Sequence, residues 1–293
     1  MSEPAEQDSM QMIRRILVAL DASSSSFVAL DAAVDLAVRM EAELLGVFVE
    51  DAELLRAAES PFARELQYPY MQPAASSRTS LECLLRSQAE AARAALAGAA
   101  EKAQVRWTFR SVRGQVSPEL LAAASEVDLI ALGRSGWSLG RLRLGSTARE
   151  LAGCDVPVLL LSSTGTSPGQ GLLVYDDGTP AAAHALRLAA CMAAADSRRL
   201  TVLLAESGGA PAEGLRDEAE QVLTGKNAGK HPIEVRYRVI PDGNEAGLRQ
   251  VLRDFPGSIL VVAGTEPLQR LSHLESALRE NAISLLLVRD GES

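Results

Sequence analysis

Short aliphatic runs alternate with stretches of helical spacing along most of the chain. "ILVALD" runs to Asp21, and Phe27, Leu30, Val34, Ala37 and Val38 then recur as one face of a helix. "LLGVFVE", ending at Glu50, reads as the next strand. The pattern then returns. "LLVYDD" runs to Asp177, Ala185, Leu188, Ala189 and Met192 mark a helix, and "LTVLLAE" ends at Glu206. Asp21 to Asp177 is a step of 156 residues, and Glu50 to Glu206 is the same step. A constant step at two landmarks predicts an internal duplication.

The remaining strands sort by pattern. In "VRWTFRSV", Val105, Trp107 and Phe109 oppose Arg106, Thr108 and Arg110. In "IEVRYRVI", Ile233, Val235, Tyr237 and Val239 oppose Glu234, Arg236 and Arg238. Strict alternation predicts a strand with one wet face, as at a sheet edge. "VDLIALG" and "SILVVAG", ending at Gly133 and Gly264, are apolar throughout and predict central strands. "VPVLLLS" and "SLLLVR" supply a fifth strand each. The predicted fold is therefore α/β, with two tandem, doubly wound, parallel five-stranded sheets. The expected domains are 12–163 and 171–290, joined through the linker-like "STGTSPGQG". Gly114 to Gly243 is a step of only 129, so the first domain carries 27 extra residues (156 less 129), placed near 51–80. That segment reads either as a lid-like or packing insertion or as a surface elaboration over a helix.

Composition narrows the function. The chain has 38 acids against 29 bases, a net charge of −9, and only 4% aromatic residues. A nucleic-acid binder needs a basic face and stacking rings, so no nucleic-acid partner is expected. Cys83, Cys154 and Cys191 are scattered, as are His184, His231 and His273, and no metal-ligand spacing appears. The opening "MSEPAEQDSMQ" has no apolar signal core, and no run of 18 apolar residues follows. A soluble, cytoplasmic protein without a membrane partner is expected.

Against this acidic background stands "GRSGWSLGRLRLGS", Gly133 to Ser146, with four glycines, three arginines and no acid. Glycine allows a backbone to turn tightly and approach an anion. Gly145-Ser146-Thr147 then opens the helix "STARELAG", with Glu150 close behind. A helix N-terminus offers free N–H groups and a positive dipole end to a phosphate. Arg134, Arg141 and Arg143 are positioned to add charge. Taken alone, the loop is equally an ordinary βα connection with a glycine turn. Ligands of doubly wound sheets sit where strand order reverses. If the first and fourth strands flank that reversal, Asp21 and Gly133 share one crevice.

Together, "RRILVALDAS", "VDLIALGRSG" and "LGSTARELAGCDVPVLLLS" resemble the universal stress protein family, twice over along nearly the whole chain. The resemblance implies an adenine nucleotide alpha hydrolase-like fold. ATP-binding members carry Gly-x2-Gly-x9-Gly-Ser/Thr, which Gly133, Gly136, Gly145 and Ser146 match by type. Here eight residues, Trp137 to Leu144, replace the nine, and the family's Asp-Gly-Ser is Asp21-Ala22-Ser23. The resemblance further implies Asp21 and Val47 near the adenine, Leu132 lining the base pocket, and Gly145 with Ser146, and Thr147 beside them, at the phosphates. In the second copy Gly136 has no glycine counterpart, and Glu275 falls where Gly145 should be. A carboxylate there repels phosphate, so this copy is expected not to bind ATP in the family's manner. Family members dimerise through their last strands. The implied counterpart here is internal pairing through "VPVLLL" and "SLLLV", a pseudo-dimer, with a homodimer or another protein partner beyond it.

Other motifs have plainer readings. Asp176-Asp177 is a cation pair or, more simply, a turn into a helix with Gly178. His184 reads as a partly buried or exposed helix residue, Cys154 as a small buried residue rather than a redox switch, and Trp137 as an aromatic that stacks on a base, packs locally or contacts a partner. Three functions compete. The first is a non-catalytic stress regulator that binds ATP or a related adenine nucleotide in the first domain, with or without Mg. The second is an interaction scaffold that has lost the nucleotide. The third is a slow ATP hydrolase, for which only Asp21 offers a base.

Overall fold

The structure, a computed structural model, describes residues 13–58, 64–67, 72–75, 78–133, 150–151, 154–162, 171–196, 199–205, 212–224, 233–240, 244–263, 274 and 276–289. The chain divides into two compact units, Arg15–Gly165 and Thr166–Ser293, the latter together with Met1–Arg14.

In the first unit the elements run β1 (Arg15–Leu20), α1 (Ser24–Met40), β2 (Glu43–Asp51), α2 (Ala52–Ala58), β3 (Arg64–Gln67), β4 (Gln72–Ala75), α3 (Arg78–Lys102), β5 (Trp107–Gly114), α4 (Val116–Ala124), β6 (Leu129–Gly133) and β7 (Val158–Leu161). Five strands form a parallel series in the order β7-β6-β1-β2-β5. The second unit runs β8 (Leu172–Asp176), α5 (Pro180–Asp196), β9 (Leu200–Leu204), α6 (Ala212–Thr224), β10 (Val235–Val239), α7 (Glu245–Leu252), β11 (Ile259–Ala263) and β12 (Ser284–Val288). Its parallel order is β10-β9-β8-β11-β12, the same wiring. The extra segment of the first unit contributes α2 and the antiparallel hairpin β3–β4.

Burial follows the pattern that the residues set. Ile16, Leu17 and Ile130, on the central strands, are fully buried. The outer strand β5 alternates between half-buried and exposed positions, with one break at Arg110 and Ser111, both exposed. Its wet face is held by charge: Arg110 makes a two-pronged hydrogen bond to Glu126 beyond α4, at 2.5 and 2.6 Å. α1 packs on β1 and β6 through Ala29, Leu30, Ala33 and Ala37, small residues that let helix and sheet approach closely.

Two positions differ from the sequence pattern. Val38 was expected on the inner face of α1 and is 49% exposed. The buried stripe is centred on the alanines, and Val38 lies one step past its edge. Val239 was expected inside with Tyr237 and is 45% exposed. The alternation of β10 breaks there, and the next residue, Ile240, is the buried one.

A third difference concerns the second unit. Asp176, read as part of a turn pair, is the last residue of β8 and is only 5% exposed. It stands 156 residues after Leu20, which is buried at the same place in the first unit. Gly178 N–H donates to its carboxylate at 3.0 Å. Burial raises the Asp176 pKa above its ordinary 3.8 against that bond, and the negative charges of Asp177 and Glu218 raise it further. The folded chain therefore holds this proton more tightly than the unfolded chain. The resulting stability is full below the unfolded value and is lost as pH rises through the folded one. Asp176→Asn keeps the acceptor and removes the charge. Thermal melts from about pH 4 to about pH 7 are expected to show the native protein losing stability relative to this variant as pH rises. Parallel curves would contradict the burial argument.

Candidate functional site

β1 and β6 are hydrogen-bonded neighbours from which the chain order runs outward in both directions, so the reversal lies between them. Their paired positions are Ile16 with Leu129, Leu17 with Ile130 and Val18 with Ala131. Each strand then continues two residues, to Leu20 and Gly133, with no further pair among the described residues. The ladder stops short of the carboxyl ends of both strands, which is where the expected crevice would lie. β8 and β11 repeat the arrangement: pairing ends at Val174 with Val261, and the strands run on to Asp176 and Ala263.

Asp21 follows β1 at the mouth of this crevice and is exposed. Its Oδ1 accepts the Ser23 N–H at 2.9 Å and closes a turn. Its Oδ2 makes no recorded bond, which leaves an acceptor for a ribose hydroxyl or an amino group of a base. Ala22 takes φ 57°, the left-handed region. Its counterpart 156 residues later, Gly178, takes φ 77°. The second copy therefore keeps the glycine that this turn favours, and the first accommodates an alanine at a cost of about 1 kcal/mol. Ser23 caps α1 by accepting the Ser26 N–H at 3.2 Å.

The expected base-pocket residues fall on one face. Val47 pairs with Ala19 across β1–β2. Leu132 is one residue beyond the last β1–β6 pair, in step with Ala19, so the pleat points it the same way. Both are buried, Val47 at 2% and Leu132 at 7% exposure. They form an apolar floor beneath the crest, with the small Ala19 between them.

Gly133 points to the opposite face, and its surroundings carry information that sequence reasoning missed. A Cβ built on Gly133 would sit 2.2 Å from the Ser25 carbonyl oxygen and 2.9 Å from the Ser26 nitrogen. The first turn of α1 lies directly on this residue. The glycine is therefore required by helix packing, whatever the loop after it holds. In the sequence the only trace was the pairing of a small-residue run, Ser23–Ser26, with a strand-ending glycine. Gly136, Gly145, Ser146, Thr147, Arg134, Arg141 and Arg143 lie outside the described residues. No group of three or more potential metal ligands occurs among the described residues, and no described helix is long and apolar enough to cross a membrane.

In the second unit the equivalent acid closes the same kind of turn, also through one carboxylate oxygen. Asp177 Oδ1 accepts both the Thr179 N–H at 3.2 Å and the Thr179 hydroxyl at 2.7 Å, and Thr179 caps α5 through Ala182 N–H. Asp177 thus belongs to a turn into a helix, whereas Asp176 ends β8.

The fold is that of a doubly wound α/β protein whose strand order reverses between β1 and β6 in its first unit. The model of the universal stress protein family matches residues 12–162, and the chain belongs to that family. The chain is similar in structure to a universal stress protein from Archaeoglobus fulgidus DSM 4304, with 18% identity, a TM-score of 0.68, and 94% of this chain and 98% of that chain covered. It is also similar to a protein of Pseudomonas aeruginosa UCBPP-PA14, with 13% identity, a TM-score of 0.56, and 97% and 96% covered. At these identities the likeness is one of fold, and it extends over both units. No curated protein sequence matches the chain.

Gly133→Ala tests the packing role. With backbone atoms in the way, the variant is expected to lose about 2–3 kcal/mol of stability without any nucleotide present, read by denaturant unfolding. Unchanged unfolding would mean that α1 does not press on this residue as described.

Proposed function

We propose that the first unit binds ATP or a related adenine nucleotide across the β1–β6 crevice, and that the protein acts as a non-catalytic stress regulator. The observation that carries this reading is Asp21, exposed where the two strands part, with one carboxylate oxygen unspent. The base rests on Val47 and Leu132. The phosphates are held by the loop from Gly133 through Gly136 to Gly145, Ser146 and Thr147, with charge from Arg134, Arg141 and Arg143. The second unit serves as a structural partner, because Glu275 replaces the glycine at its phosphate end.

A second reading rests on one feature. The interval before Gly145 is one residue short of the family's, which favours a scaffold without nucleotide. Calorimetric titration with ATP separates the two. One site per chain is expected, weakened about 10- to 100-fold in Asp21→Ala, since bonds to a charged acceptor carry about 1.5–3 kcal/mol. Gly145→Glu, which copies the second unit, is expected to abolish the heat without altering unfolding. No heat at millimolar ATP would overturn the nucleotide reading in favour of the scaffold.

A further inference from the structure

Away from the crest, the first unit holds a cleft of about 510 Å³ between α3 and its outer strand β5. Its origin is local. α3 is rich in alanine, and it presents Ala89 over the rings of Trp107 and Phe109. A methyl group is too short to cover two aromatic side chains, so both stay half-buried on an edge strand. Arg86 and Arg93 stand three residues before and four residues after Ala89, on the same side of the helix, and border the cleft. Both are exposed, and neither engages an acid or ring among the described residues. The acids nearby differ in state. Glu50 is already met by Arg113, which donates to it at 2.7 and 2.9 Å. Glu90 is exposed on the outer wall.

The second unit supplies an internal comparison. Phe109 pairs with Gly46 on β2, and Tyr237 pairs with Val202 on β9. Gly46 and Val202 are 156 residues apart, so Phe109 and Tyr237 occupy the same place. There, Arg216 from α6 lies over the tyrosine ring at 4.9 Å and is held by Glu220 at 3.0 Å. The second unit thus covers with its own guanidinium the aromatic face that the first leaves open.

We infer that the cleft over Trp107 and Phe109 is a second ligand site, built for a small aromatic carboxylate. The ring lies on the aromatic floor. The carboxylate is taken by the guanidinium forks of Arg86 and Arg93, whose planar donors match it. The volume falls within the range of small-molecule pockets, about 300–1,000 Å³. An amine of the same size would meet two guanidiniums against one open acid, Glu90, since the charge of Glu50 is already met by Arg113. This site is separate from the nucleotide crevice and does not depend on it.

Trp107 reports on the site directly. The chain has two tryptophans, so Trp137→Phe leaves Trp107 as the sole emitter. Titrating this full-length variant with benzoate is expected to change its emission saturably, with a Kd of about 1 mM for so small a ligand. Acetate, which lacks the ring, and benzylamine, which reverses the charge, are expected to leave it unchanged. Adding Arg86→Gln and Arg93→Gln is expected to weaken benzoate at least about tenfold while thermal unfolding stays the same, since both side chains are exposed. The benzoate response is expected to persist in Gly145→Glu, so its failure and the failure of nucleotide binding are distinct results. No saturation up to about 20 mM benzoate, equal binding of benzylamine, or full binding without the two arginines would each overturn the assignment.

Discussion

The first turn of α1 rests on Gly133, and that contact sets the geometry of the crest. Because the Ser25 backbone lies where a Cβ would be, the end of β6 and the start of α1 are fixed to one another. β1 ends beside them, and its pairing with β6 has already stopped at Val18 and Ala131. Asp21 and the exit of β6 thus follow strand ends that α1 ties together, with Val47 and Leu132 buried among them.

The duplication explains why one chain carries two such crests with different fates. Both units part their central strands at the same step, and both place a left-handed residue after the leading strand. They differ in what surrounds that frame. Asp21 and Asp177 each spend one carboxylate oxygen on the turn, but the second unit buries a further acid, Asp176, where the first has Leu20. A buried carboxylate beside two other acids is a poor neighbour for a polyphosphate. The same contrast holds at the outer strands, where Arg216 stacks on Tyr237 while Trp107 and Phe109 stay open.

Much of this was legible in the sequence. The step of 156 residues foretold the repeated wiring, and alternation marked β5 and β10 as outer strands. What escaped depends on contacts between distant segments. Helical spacing placed Val38 on the inner face, but a stripe of alanines moved the contact sideways. The alternation through Val239 ignored the shift that buries Ile240 instead. Gly133 looked like a phosphate glycine, and only the α1 backbone reveals its packing role. Asp176 looked like half of a turn, because sequence does not show which of two adjacent acids the pleat turns inward.

The central claim is asymmetry: a frame copied twice, with one copy fit for nucleotide. Native mass spectrometry of the purified full-length chain in excess ATP reads it most directly. One nucleotide per chain is the expected result. Two per chain would show that Glu275 does not disable the second crest, and none would show that the first crest is not a nucleotide site.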